Sequence, residues 1–278
     1  MQVFIINLER SAARREFMKQ QLDNQDVDFE FIKAVDGASL ADEYLAQICD
    51  FEQLAKSPHL LRKGVYGCLL SHYKTCQRIV SENLPYALVL EDDVTLQQGL
   101  GALLLSIEAT IKPGEVVLLF SQNNYMPTVF SAQEAENLAM GYQLVYPIDT
   151  WALGSAGAYI MTQDAARGLL EFLLPIRHAA DTWGAFYDGK AIADVRCVIP
   201  FPARPAGFKS DIDYISATSL QGKVLTFINK HRVFPFAQLL DYRRRMLLNK
   251  TTDYQLVQQS PHTKRTETVN VKDKVAYS

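Results

Sequence analysis

An apolar run that ends in three consecutive acids constrains this chain most. Residues 86–90 read YALVL, and Glu91, Asp92 and Asp93 follow them directly. A buried strand of this kind delivers its final charges to the carboxyl edge of a sheet, where α/β proteins open their ligand crevices. Mg²⁺ and Mn²⁺ prefer oxygen ligands and often share them with substrate phosphates, so the triplet predicts a divalent cation beside a nucleoside diphosphate. A solvated acidic turn is the alternative interpretation.

Length and composition favour one large α/β domain. The chain has 278 residues, of which 48% are hydrophobic, and a formal net charge of -3. A chain with this net charge lacks the excess of positive charge that nucleic-acid-binding proteins use, so no nucleic-acid partner is expected. We predict a catalytic-type domain over residues 1–240, followed over 241–278 by a basic segment and a polar tail that associate with a membrane or are disordered.

Cysteine usage and the amino terminus bear on location. The four cysteines form no CxxC pair, which suits free thiols in a reducing cytosol. Residues 1–10 have no basic leader, and no uncharged run reaches the roughly 18–20 residues of a membrane span. We therefore expect a cytoplasmic protein. The basic run 242–250 would allow peripheral contact with an anionic inner membrane, although a solvated helix face is the alternative.

Apolar β-type runs alternate with segments of helical periodicity along the chain. Such alternation implies crossover connections and a mostly parallel central sheet flanked by helices. We predict strands over 3–7, 29–35, 86–90 and 115–120, helices over 10–22, 41–55, 64–83 and 163–172, a small-residue strand within 151–161, and a loop over 199–208.

Four sequence blocks together resemble glycosyltransferase family 25, the bacterial lipooligosaccharide and lipopolysaccharide sugar transferases related to collagen galactosyltransferases. The blocks are NLER at 7–10 followed by the arginine pair 14–15, AVDG at 34–37, GCLLSH at 67–72, and LEDDV at 90–94. Each block is weak alone, but their order and spacing make the resemblance specific over residues 1–215. It implies a GT-A type, Rossmann-like fold and an inverting β-galactosyltransferase, of β-1,4 type, that uses UDP-galactose and a glycolipid or oligosaccharide acceptor. Glucose is the alternative sugar.

The resemblance also implies roles for individual residues. Asp93 is assigned to the divalent metal (Mn²⁺ or Mg²⁺), Asp92 to the ribose side of the donor, and Glu91 to orientation within the donor site. Arg10 and Arg14 are candidates for pyrophosphate or base contacts, because guanidinium groups match phosphate oxygens. The alternative for both is an ion pair with Glu9 or Glu16. The remaining donor-binding candidates are Asn7, Arg10, Arg14, Asp36, Gly37, Ser71 and His72.

Inverting transfer needs a base for the acceptor hydroxyl, outside the metal cluster. Asp181 is the candidate, with capping of the next helix as the alternative and Asp149 as the second choice. Trp183 is expected to bind the acceptor by stacking on a sugar face. His231 is a further candidate for the metal sphere, and residues 210–212 resemble a block near the nucleotide site.

Two other function classes fit the same sequence features. One is a catalytically silent module that binds a nucleotide sugar or a glycan on the same fold. The other is a nucleotidyltransferase, which would also use a carboxylate-held metal at a strand end but would consume a nucleoside triphosphate.

Overall fold

A computed structural model describes residues 1–122, 128–208 and 254–261, together with 235, 236 and 238. Its strands form one large sheet and one two-stranded sheet. In chain order they are β1 (Gln2–Asn7), β2 (Glu30–Lys33), β3 (Tyr86–Glu91), β4 (Val94–Leu96), β5 (Glu115–Leu118), β6 (Thr128–Asn137), β7 (Gln143–Pro147), β8 (Ala158–Thr162), β9 (Asp194–Ile199), β10 (Ala203–Pro205) and β11 (Tyr254–Val257).

Helices flank the sheet and connect its strands. Those described are α1 (Ala12–Asp23), α2 (Asp42–Ile48), α3 (Phe51–Ala55), α4 (Lys63–Ser81), α5 (Leu100–Glu108), α6 (Gln163–Phe172) and α7 (Trp183–Asp188). None of them combines the length and the apolar character needed to cross a bilayer.

The nine-stranded sheet has the order β11-β6-β7-β9-β5-β8-β3-β1-β2. The α/β class and the flanking helices are confirmed, with a mixed sheet in place of a mostly parallel one. Its parallel pairings are β1–β2, β1–β3, β5–β9 and β6–β11. Its antiparallel pairings are β3–β8, β5–β8, β6–β7 and β7–β9.

The antiparallel direction of β8 shapes the functional edge of the sheet. Ala158, where β8 begins, pairs with Leu90 near the end of β3. The amide of Glu91 also donates to the carbonyl of Gly157 at 2.8 Å. The loop that precedes β8 therefore lies at the edge where β1 and β3 end.

Two glycines allow α4 to press against the turn that follows β2. A Cβ on Gly67 would lie 2.6 Å from the backbone nitrogen of Gly37 and 2.7 Å from the carbonyl oxygen of Val35. A Cβ on Gly37 would lie 2.0 Å from the carbonyl oxygen of Lys63. Only residues without a side chain permit so close a backbone approach. This packing fixes Asp36 beside the carboxyl edge of β1.

Several elements differ from the sequence predictions. The helix expected over 41–55 is two helices, because Cys49 forms a bridge with Ile176 and the Asp50 side chain starts α3 by accepting from the amide of Gln53 at 3.0 Å. The loop expected over 199–208 contains the short strand β10. Helix α6 has the predicted bounds.

The carboxyl-terminal part of the chain is described only in pieces. Disorder was one of two expectations for residues 241–278, but within that range β11 pairs in parallel with β6. The basic run 242–250 lies outside the described residues, so its membrane contact stays a prediction. The division of the chain at residue 240 also stays a prediction.

Candidate functional site

Asp92 is fixed by two residues that the sequence analysis placed in the same site. Its Oδ2 accepts from the side-chain amide of Asn7 at 2.7 Å, and its Oδ1 accepts from Arg14 at 2.9 Å. Strands β1 and β3 are parallel neighbours, so their ends coincide, and α1 then carries Arg14 back over the same edge. Burial raises the pKa of Asp92, while the hydrogen bonds from Arg14 and Asn7 partly oppose that rise.

The guanidinium of Arg14 also reaches the second acid of this pair. Its Nη1 lies 3.4 Å from an oxygen of Asp93, and its side chain is only 12% exposed. The Asp93 side chain is 31% exposed. Arg14 is thus a partly buried cation shared by two carboxylates.

Arg10 and Asp36 form an exposed ion pair at the same edge. Asp36 also accepts from the amide of Ala38 at 3.1 Å, which shapes the turn after β2. The alternative ion-pair partners considered for Arg10, Glu9 and Glu16, are not those observed, since Glu9 pairs with a lysine on β2. Two of the predicted donor-binding residues therefore lie together and face solvent.

Ser71 is buried and supports this turn. Its hydroxyl accepts from the amide of Val35 at 2.8 Å and donates to the carbonyl of Gly67 at 2.7 Å. The side chain is buried, as is Gly37. Direct donor contact by Ser71 stays a prediction, and the hydroxyl hydrogen is already used within the protein.

His72 links the core to the acidic strand end. Its Nδ1 lies 2.8 Å from the Tyr159 hydroxyl and its Nε2 lies 3.2 Å from Glu91 Oε1. A carboxylate only accepts, so the consistent assignment has Nε2 donating to Glu91 and Nδ1 accepting from Tyr159. His72 is therefore neither an isolated core histidine nor an exposed ligand.

Cys68 completes this group from one turn earlier on α4. Its Sγ lies 3.7 Å from Glu91 Oε1. Burial, together with the charges of Glu91, Asp181 and Asp93, raises the pKa of the Cys68 thiol well above its usual range. Burial pushes the pKa of Glu91 upward, but the hydrogen bonds from His72 and Cys68 outweigh it, and the pKa of Glu91 is lowered.

Asp181 lies close enough to this cluster for its charge to act on it. Its Oδ2 accepts from the amide of Ser155, in the loop before β8, at 3.1 Å. Burial raises the pKa of Asp181, and the charge of Glu91 raises it further. Thr182, and not Asp181, is the N-cap residue of α7. The Asp181 carboxylate accepts instead from the loop before β8. The second-choice base, Asp149, caps a short turn by accepting from the amide of Trp151 at 2.9 Å.

Trp183 is placed differently from its prediction. It is 1% exposed, packs edge-on against Tyr159 and Phe186, and donates its indole N–H to the carbonyl of Ser155 at 3.0 Å. A buried ring offers no open face to a sugar, so the acceptor-stacking assignment is corrected. The other tryptophan, Trp151, is 45% exposed.

The acids at the strand end suit a hard divalent cation. The Asp93 carboxylate is partly exposed, and its charge acts on the Cys68 thiol, as do the charges of Glu91 and Asp181. Carboxylate oxygens are the ligands that Mg²⁺ and Mn²⁺ prefer. A group of potential metal ligands with different chemistry lies beside them. One ligand atom each from Cys68, His72 and Glu91 lies within 4.8 Å of the others.

Three further candidates fall outside the described residues. They are Ser210, Asp211 and His231, and their proposed places near the nucleotide or in the metal sphere stay predictions.

Comparison with known proteins decides the family. Residues 1–183 match the family described as glycosyltransferase family 25 (LPS biosynthesis protein). This chain belongs to glycosyltransferase family 25. The matched range contains the sequence blocks and every site residue from Asn7 to Trp183.

Several curated relatives carry related names. The chain is 30% identical to a putative glycosyltransferase, R655, of Acanthamoeba polyphaga mimivirus over 60% of this chain and 51% of that protein. It is 27% identical to human procollagen galactosyltransferase 2 over 61% of this chain and 27% of that protein. It is 26% identical to mouse inactive glycosyltransferase 25 family member 3 over 78% of this chain and 39% of that protein. The aligned part thus spans about half of these relatives or less.

Proposed function

We propose that this family 25 protein is an inverting glycosyltransferase that moves galactose from UDP-galactose, in β linkage, onto a lipooligosaccharide or lipopolysaccharide acceptor. The observation that carries the proposal is the joint fixing of Asp92 by Asn7 and Arg14 beside Asp93. The galactosyl donor is suggested by the relative named procollagen galactosyltransferase 2, and the acceptor by the family description. The alternative sugar, glucose, and the proposed β-1,4 linkage are tested by the same assay.

The donor diphosphate is proposed to lie between two arginines, Arg10 and Arg14, and the acids at the end of β3. Arg14 donates to Asp92 at 2.9 Å, so its guanidinium is oriented before the donor arrives. Arg10 lies on the exposed side of the same edge. Asp93 would hold Mn²⁺ or Mg²⁺, and such an ion neutralises charge that develops on a departing diphosphate.

Asp181 is the proposed base. Its hydrogen bond from the Ser155 amide fixes one carboxylate oxygen, which leaves the other to accept the acceptor's hydroxyl proton. The hydroxyl oxygen then forms the new bond to the anomeric carbon as the bond from that carbon to the phosphate oxygen breaks. UDP leaves with the bonding electron pair, and the proton stays on Asp181. A raised pKa makes this carboxylate a stronger base than an ordinary aspartate.

Trp151 replaces Trp183 as the proposed acceptor platform. Its indole N–H donates to Asp188 at 2.8 Å, which fixes the ring orientation while 45% of the residue stays exposed. It packs on Gly184, where a Cβ would lie 2.6 Å from the ring, and Gly184 follows Asp181 by three positions. An exposed aromatic face near the base offers apolar contact to a sugar at little entropic cost.

The test is UDP release from a panel of UDP-sugars with lactose- or glucose-terminated acceptors, with and without a chelator. We expect release with UDP-galactose and Mn²⁺, a β-anomeric product by NMR, and loss of turnover in Asp181→Asn. Asp164→Asn is the matched control, because Asp164 is exposed in the first turn of α6 at the opposite edge of the sheet. Equal turnover of Asp181→Asn and this control would remove the base assignment.

The silent-module alternative has one observation in its favour, the relative named as inactive. That alternative expects UDP-galactose to bind without any acceptor-dependent release of UDP. A nucleotidyltransferase would instead release pyrophosphate from a nucleoside triphosphate. A cytoplasmic location and contact with the inner membrane fit a glycolipid acceptor and are part of the same proposal.

A further inference from the structure

A second group of potential metal ligands, of different chemistry, lies next to the site proposed for Mg²⁺ or Mn²⁺. Cys68 and His72 are four positions apart on α4, so both side chains project from one face of the helix. Glu91, at the end of β3, extends its carboxylate between them. A thiol, an imidazole and a carboxylate together are typical ligands of zinc, whereas Mg²⁺ and Mn²⁺ favour oxygen alone.

Two of the three distances between these atoms match the edges of a zinc tetrahedron. Typical zinc bonds imply roughly 3.3 Å between a nitrogen and an oxygen ligand, and roughly 3.6 Å between a sulfur and an oxygen ligand. The observed distances are 3.2 Å from His72 Nε2 to Glu91 Oε1 and 3.7 Å from Cys68 Sγ to the same oxygen. Sγ, the ring nitrogen and the carboxylate oxygen all lie within 4.8 Å of one another. Little movement separates this arrangement from a coordinated one.

Tyr159 supplies the second contact that a metal-bound histidine usually has. Its hydroxyl lies 2.8 Å from His72 Nδ1, opposite the nitrogen that faces Glu91. A ligating histidine donates its other N–H to an oxygen, which fixes the ring and its tautomer. His72 can meet this requirement by carrying its proton on Nδ1 and donating to the Tyr159 oxygen.

We propose that Cys68, His72 and Glu91 form a binding site for a soft divalent cation of the zinc type, with Tyr159 positioning the histidine. On binding, the Cys68 thiol loses its proton to solvent, His72 carries its single proton on Nδ1, and the ion takes the place of the hydrogen bonds among the three ligands. Three protein ligands leave the fourth position of the tetrahedron open to water.

Cobalt(II) titration of the full-length protein tests this site directly, because a cobalt–thiolate bond gives a near-ultraviolet charge-transfer band. We expect one equivalent of Co²⁺ to produce the band and one equivalent of Zn²⁺ to displace it. Cys68→Ser should abolish the band, whereas Cys49→Ser, a matched change elsewhere, should retain it. Absence of the band from the unmodified protein, or its persistence in Cys68→Ser, would overturn the proposal.

Two further variants keep the test decisive if Cys68→Ser fails to fold. Glu91→Gln should weaken Zn²⁺ binding by at least about tenfold while the charge-transfer band stays detectable at high Co²⁺, and Tyr159→Phe should weaken it by about 10–100-fold. Thermal melting of each variant separates loss of folding from loss of the site. Unchanged Zn²⁺ affinity in a folded Glu91→Gln protein would contradict the proposal.

Zinc at this position would also withdraw Glu91 from the donor site, and inhibition of transfer is therefore expected. That consequence rests on the proposed function, whereas the cobalt spectrum does not. A protein that shows the band but has no transferase activity would retain the metal site and lose the proposed reaction.

Discussion

Asn7 at the end of β1 donates its side-chain amide to Asp92 at 2.7 Å, across a separation of 85 positions in the sequence. The contact joins the first and the last of the four sequence blocks. Because Asp92 is 7% exposed, its carboxylate has little water to replace a lost partner. The amide therefore supports both the fold and the orientation of the acidic strand end.

Replacing Asn7 with alanine is expected to cost stability and donor affinity together. An unsatisfied buried acceptor costs about 1–3 kcal/mol, and urea denaturation measures that loss. UDP titration should show weaker binding in the same variant. Asn24→Ala, at an exposed residue after α1, is the control and should stay within about 0.5 kcal/mol of the parent. Equal stability of the two variants would contradict this role.

Arg14 is expected to contribute to UDP binding even without a metal. Hydrogen bonds to charged groups contribute about 1.5–3 kcal/mol, so Arg14→Ala should weaken UDP binding about ten- to hundredfold in the presence of a chelator. Arg14→Lys should recover only part of this, because lysine lacks the planar fork. Arg167→Ala, on the exposed face of α6, should leave the calorimetric Kd unchanged. A neutral effect of Arg14→Ala would remove Arg14 from the donor site.

Asp181→Asn is expected to make the protein more stable and less active. A carboxyl whose pKa is raised by folding destabilises the native state when ionised. That penalty is present above the folded pKa, declines as pH falls through it, and is absent below the usual value of 3.8. The asparagine variant should thus gain stability at neutral pH and lose the gain on acidification. Denaturation at several pH values measures this difference, and a constant difference would argue against the raised pKa.

Trp151→Ala is expected to raise the KM for the acceptor while the KM for UDP-galactose stays unchanged. The reason is that its ring is 45% exposed and packs on Gly184, three positions after the proposed base Asp181. Leu105→Ala, which also removes an exposed apolar side chain, is the control. A rise in the donor KM alone would place the ring on the other substrate.

A buried ion pair outside the candidate site is expected to affect the stability of the protein and not its activity. Arg196 is fully buried and bonded to Glu115, with Nη2 to Oε2 at 2.8 Å. Breaking a buried pair strands a charge, so Arg196→Met should cost about 3–5 kcal/mol. The double variant Arg196→Met with Glu115→Leu should recover much of that loss in urea denaturation. Additive losses from the two changes would show that the residues are not coupled.

The local periodicity of the sequence predicted individual elements well. Helix α6 has its predicted bounds, and the apolar run at 86–90 is a strand as expected, buried except for the half-buried Tyr86. The direction of β8 was not predictable, because periodicity carries no information about whether a strand enters a sheet from one edge or the other. That direction depends on the loop before β8, whose carbonyl at Gly157 accepts from Glu91.

The sequence predicted which of these residues lie close together better than it predicted their burial. Residues at the ends of parallel neighbours must lie together, which is why Asn7 and Asp92 meet. Burial was the missing quantity for Trp183, since an aromatic residue looks alike in sequence whether it packs in a core or faces a sugar. The Cys68–His72 spacing was visible in the GCLLSH block, but its meeting with Glu91 required the fold.

Calorimetric titration of UDP into the parent protein and Asp93→Asn, each with Mn²⁺ and with a chelator, tests the central claim most directly. If the acids after β3 hold a cation that bridges to the donor diphosphate, Mn²⁺ should tighten UDP binding to the parent by about tenfold or more, equivalent to about 1.4 kcal/mol. The same addition should leave Asp93→Asn unchanged. An equal Mn²⁺ enhancement in both proteins would contradict the assignment of this strand end as the donor site.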